Sequence, residues 1–98
     1  MVRVSQATLK HIFEKHQDLI RVLGIDSLEK LREVIVRIVE KPDEIYVDAG
    51  RNDVKYYLKK LDDEWITVIL VGDEVKTAYL IGLESYRKFR RKRWSQHY

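Results

Sequence analysis

Ninety-eight residues with 45% hydrophobic content are enough for one modest core, so the chain is bounded to a single domain. The absence of cysteine excludes a disulfide scaffold and a cysteine-based zinc site. The net charge of +3 hides an asymmetry: residues 84–98 carry six Lys/Arg against Glu84 alone, while residues 1–83 carry 13 bases and 15 acids.

In chain order, residues 5–23 predict one helix. Leu9, Ile12, Phe13, Leu19, Ile20 and Leu23 share a face at helical spacing, Ser5 is placed to cap the start, and Gly24 to end it. A second helix is predicted over 27–41. Its stripe is Leu28, Leu31, Val34, Ile35, Ile38 and Val39, with Asp26 and Glu29 as a capping box and Pro42 as the stop. From Glu44 the apolar period falls to two. Strands are expected over 44–48, 54–61, 65–71 and 75–81, joined by the turn at 49–53 and tight turns at Asp62-Asp63 and Gly72-Asp73. Short connections make an antiparallel meander.

The expected fold is therefore α+β, with two N-terminal helices packed on one face of a four-stranded antiparallel sheet. Residues 85–94 are expected to form a short C-terminal helix or a flexible arm. The organisation divides into a body over 1–83 and a basic, aromatic segment over 84–98. No apolar run is long enough to span a bilayer, and the N-terminal residues lack a signal-peptide core, so a cytoplasmic address is expected. A charged content of 36% without cysteine matches thermophile usage.

Three constellations could carry chemistry. The first is His11 and His16, since imidazole moves protons near neutral pH. His16 falls in the centre of the apolar stripe, where a hydrogen-bonded core histidine is the plainer reading. His11 falls off the stripe, where a solvated residue is. Their i, i+5 spacing does not turn both rings to one helix face and no third ligand is evident, so no metal or cofactor is expected.

The second is on the strands. Lys55, Tyr57 and Lys59 share one sheet face and Tyr56, Leu58 and Lys60 the other; Val75, Thr77, Tyr79 and Ile81 share a face on the last strand. Ile66, Val68 and Leu70 are expected in the core, with Trp65, Thr67 and Ile69 on the second face. A face of Thr, Tyr and Lys is either solvated or a phosphate-binding floor.

The third is Tyr86–Trp94, where Arg87, Lys88, Arg90, Arg91, Lys92 and Arg93 interleave with Tyr86, Phe89 and Trp94. Cations engage phosphates and rings stack on unpaired bases, which makes RNA the expected partner. The plainer reading is an amphipathic helix whose aromatics pack on the body. Anionic lipid ranks below RNA because the apolar face is thin.

The order of motifs resembles the phage-associated branch of the barnase–EndoU–colicin E5/D–RelE-like nuclease superfamily. The residues that carry this are Lys10-His11-Ile12-Phe13-Glu14-Lys15-His16, then Val34-Ile35 through Glu40-Lys41-Pro42-Asp43-Glu44-Ile45. They continue with Tyr56-Tyr57-Leu58-Lys59-Lys60, Ile66-Thr67-Val68-Ile69 and Lys76-Thr77-Ala78-Tyr79. The resemblance spans roughly residues 9–80 and leaves out the basic segment. It implies metal-independent RNA cleavage, often of tRNA and often by a toxin of a mobile element or toxin–antitoxin system. On that reading His11 and His16 are acid/base groups, Lys59 stabilises phosphorane charge and Thr77 orients the phosphate, with Tyr79 and Lys55 as secondary candidates. Outside the resemblance, the residue pattern itself makes Lys55 and Tyr57 on the sheet and Arg87, Lys88, Arg90, Arg91, Lys92, Arg93 and Trp94 in the basic segment the expected RNA contacts. The alternatives are a non-catalytic RNA- or DNA-binding protein of the same fold, and a protein whose tail meets an acidic antitoxin or capsid surface.

Overall fold

The computed structural model describes residues 2–97, with side chains through Trp94. Among these, helices α1 (Gln6–Lys15), α2 (Gln17–Leu23) and α3 (Leu28–Glu40) precede strands β1 (Glu44–Asp48), β2 (Val54–Leu61), β3 (Glu64–Val71) and β4 (Glu74–Ile81). Helix α4 (Leu83–Lys92) and strand β5 (Trp94–His97) follow. The sheet is antiparallel with order β4-β3-β2-β1-β5. The α+β class and the four-stranded meander agree with the sequence expectation. The helix count does not: the single helix expected over 5–23 is two, because His16 leaves helical geometry at φ −119°, ψ 60°. Nor does the sheet stop at four strands, since β5 pairs with β1.

Local signals explain the termini. The Ser5 hydroxyl accepts from Thr8 N–H at 3.1 Å, and Gly24 adopts the left-handed conformation (φ 63°) that ends α2. Helix α3 is capped by Ser27, whose hydroxyl accepts from Lys30 N–H at 3.1 Å, not by the expected Asp26. Both two-residue hairpin turns use a positive φ, 55° at Asp62 and 63° at Gly72.

Helices α1–α3 bury the stripe of Leu9, Ile12, Leu19, Ile20, Leu31, Ile35 and Ile38 against Ile66, Val68, Leu70, Val75 and Ala78. A bulge between Ile69/Leu70 pairs Ile69 with Thr77 and Leu70 with Val75, leaving Lys76 over. Val75 therefore faces the helices while Thr77, Tyr79 and Ile81 face away. This corrects the strict alternation expected for that strand.

The opposite sheet face is not an open floor. It holds a second, aromatic core of Tyr46, Val54, Tyr56, Leu58, Trp65, Ile81 and Trp94, onto which Tyr86 and Phe89 of α4 pack. Tyr86 stacks on Trp65 with ring centroids 4.0 Å apart, and Trp94 on Tyr46 at 4.7 Å. The Glu44 carboxylate accepts from Trp65 Nε1 at 3.2 Å, from the Tyr86 hydroxyl at 2.5 Å and from the Tyr46 hydroxyl, which ties α4 to β1 and β3. Helices thus cover both faces, a further correction. Among the described residues, no helix is long and apolar enough to cross a membrane.

Candidate functional site

The break at His16 positions the site. A continuous helix would keep that ring inside the apolar stripe. The break turns it to the rim of edge strand β4, where His16 Nε2 lies 3.5 Å from Thr77 Oγ1 and its ring centroid 5.9 Å from that of Tyr79. The His11 ring, exposed on α1, meets His16 edge-on at 6.0 Å. The i, i+5 spacing that separates two residues on an unbroken helix brings these two rings together because the chain bends between them. Four of the sequence candidates, His11, His16, Thr77 and Tyr79, thereby form one cluster.

Its electrostatics favour a neutral acceptor beside a neutral donor. Partial burial lowers the His16 pKa, the nearby His11 lowers it further, and Asp18 opposes them. Burial raises the Tyr79 pKa and keeps the phenol protonated, against the field of Arg93 from the end of α4. Arg93 acts in the same sense on Tyr56, whose phenol is driven well above its usual range by burial and by its 2.5 Å hydrogen bond to Asp48.

Lys59 is not in the cluster. It pairs in register with Ile66 on the face toward α1–α3, and its ammonium is 3.4 Å from Asp43 Oδ1. Asp43 also accepts from Lys60 N–H at 2.7 Å, so it fixes the strand end to the start of β1. Lys59 lines an apolar groove with Leu23, Val34, Ile38 and Ile66, on the other side of the sheet from Thr77. Lys55 and Tyr57 share this helix-side face by register, and Tyr57 packs against the main core.

The basic segment divides by side. Trp94 is only 5% exposed, enclosed by Tyr46, Tyr56, Tyr86 and Phe89. Its rings serve packing, as the plainer reading of the sequence had it. Arg87, Lys88, Arg90, Arg91, Lys92 and Arg93 are solvent-exposed. Among the described residues, none of the six forms an ion pair. Arg90 instead lies over Tyr46 and Tyr86 at 5.8 and 5.7 Å, and Arg93 over Phe89 at 5.0 Å.

Sequence reasoning missed Glu44, Tyr56 and Asp48. The signal was present: period-two alternation puts Glu44, Tyr46 and Asp48 on one face of β1, where half-buried carboxylates beside aromatic rings find hydroxyl and indole donors. Thr67 is the other surprise. It is fully buried opposite Tyr79 with its hydroxyl unpartnered among the described residues. No family model, no curated protein and no solved structure matches this chain.

Proposed function

We propose that this chain is an endoribonuclease that holds RNA on the cations of α4 and cuts it beside the His11–His16 pair. The observation that carries this reading is the meeting of two imidazoles, a threonine hydroxyl and a tyrosine at one strand edge, with His16 biased to its neutral form. Neutral His16 accepts the proton of a ribose 2′-hydroxyl, whose oxygen attacks the adjacent phosphorus. His11 gives a proton to the departing 5′-oxygen, leaving a 2′,3′-cyclic phosphate and a free 5′-hydroxyl. Thr77 orients the His16 ring, and the Tyr79 phenol donates to a non-bridging oxygen as charge builds there. The metal-independent character comes from the family resemblance. Lys59, given the phosphorane-stabilising role by that resemblance, is left out of the scheme because it is engaged with Asp43 on the far face.

The test is incubation of the purified chain with total tRNA in EDTA. Discrete fragments are expected, lost in His11→Ala and His16→Ala and retained in Lys59→Ala. Intact tRNA after tight, salt-sensitive binding sinks the catalytic scheme and leaves the second reading, a non-catalytic RNA-binding protein. That reading has its own support in the five cations of α4 and its C-cap Arg93, none of which forms an ion pair among the described residues.

A further inference from the structure

The surface of α4 is not uniform. On one side of the helix, Lys88, Phe89, Lys92 and the C-cap Arg93 close against Asp48 at the end of β1 and Ala49 and Gly50 of the β1–β2 loop around a hollow of about 340 Å³. On the other side, Arg87, Arg90 and Arg91 share an open patch. We propose that the hollow is a phosphate subsite, which seats the backbone of single-stranded nucleic acid and leads it toward the His11–His16 pair.

Charge and geometry both support this. Three cations stand around the hollow against one acid, Asp48. Both Asp48 oxygens are already engaged, Oδ1 by the Tyr56 hydroxyl at 2.5 Å and Oδ2 by Gly50 N–H at 2.9 Å. The Ala49 N–H donates to the Arg93 carbonyl at 2.6 Å, which ties the loop to the end of α4 and fixes the width of the hollow. The backbone amides are thus used up in holding shape, and the free donors are the ammonium and guanidinium groups. They outweigh Asp48 and the partial negative charge at the helix C-terminus. Phe89 gives an apolar wall on which the Arg93 guanidinium lies at 5.0 Å.

The hollow and the His11–His16 pair are separated by the width of the sheet from β1 to β4. Tyr56, hydrogen-bonded to Asp48, lies opposite Ile69, and Ile69 lies opposite Thr77. From Asp48 on β1 to Thr77 on β4 the sheet is three strand spacings wide, about 14 Å, a reach of about two to three nucleotides along the rim of the aromatic face. Tyr79 lies beside Thr77 along this track, within the field of Arg93.

The inference deepens the nuclease reading and rests on it for direction, but its test does not need cleavage. A single-stranded DNA decamer has the phosphates and lacks the 2′-hydroxyl, so it cannot be cut by the scheme above. Titrated into the full chain, it should shift the Gly50 and Phe89 amide resonances. Replacing Lys88, Lys92 and Arg93 together by Gln should abolish the Gly50 shift and reduce the slope of log affinity against log salt by about 2. The matched triple at Arg87, Arg90 and Arg91 should keep the Gly50 shift. A silent Gly50 in the wild-type chain, or equal losses in the two triples, overturns the subsite and leaves α4 as diffuse charge. Uncut tRNA alongside an intact Gly50 shift counts against the histidine scheme alone.

Discussion

His16 shows how one backbone step gathers a cluster of side chains. Its helical-wheel position puts it in the core stripe, yet the residue adopts non-helical dihedrals and its ring reaches Thr77. The consequence is a sign for pH dependence. The folded chain holds the His16 pKa below 6.5, by burial first and by the charge of His11 second. Below about pH 6.5 the unfolded chain takes the proton more readily, so stability is lost as pH falls through that range. Thermal melts at pH 7.5 and 5.5 should show a larger drop in Tm for the wild type than for His16→Gln. Equal drops would mean that His16 is as hydrated in the fold as out of it. The same shift keeps His16 a competent proton acceptor further into mild acid than a free imidazole, which suits the role given it above.

At the scale of elements, the caps decide where helices begin. Asp26 and Ser27 are both good capping residues, and both lie just before the apolar stripe of α3. Only Ser27 makes the bond, to Lys30 N–H. Ser27→Ala should therefore cost about 1 kcal/mol. In a domain of this size that lowers Tm by about 4 to 8 °C. Asp26→Ala should shift Tm by no more than about 2 to 4 °C, since surface changes away from such features stay within about 0.5 kcal/mol. Comparable losses in both would restore Asp26 as the cap. Helix α4 follows another rule. It has no side-chain hydrogen bond at its N-cap Gly82 and no buried residue of its own, so its order depends on Tyr86 and Phe89 reaching the aromatic face.

For the molecule as a whole, the sheet is a two-sided partition with helices on each side. One core is aliphatic and built from α1–α3; the other is aromatic and closed by α4 and β5. Among the described residues, the sheet ends at β4 and β5, and the β4 edge is capped at one end only. The N-terminal segment bridges Arg3 to Glu74 at β4, with Arg3 also ion-paired to Asp73 at 3.0 Å, while β5 forms the other edge. Removing residues 83–98 should then uncover Tyr46, Tyr56 and Trp65 and leave β1 as an unpaired edge. The shortened chain should bind a hydrophobic dye and lose its cooperative melt. A sharp melt without dye binding would show that the aromatic face is dispensable.

Much of this was legible in the residues. The strand limits, the turns at Asp62-Asp63 and Gly72-Asp73, the Ser5 cap and the Gly24 stop follow from local chemistry, because each depends on neighbours within a few positions. Composition likewise fixed the charge asymmetry and the absence of disulfides. Three things were decided only by tertiary structure. The bulge at Lys76 reversed Val75 relative to Thr77, because strand register is set across the sheet rather than along the chain. The basic segment became a covering helix and an edge strand, because its aromatics found Trp65, Tyr46 and the Glu44 carboxylate, residues 21 to 48 positions away in the chain. And Lys59 parted from His16, because which side of a sheet a strand shows to the helices depends on packing that alternation alone does not specify.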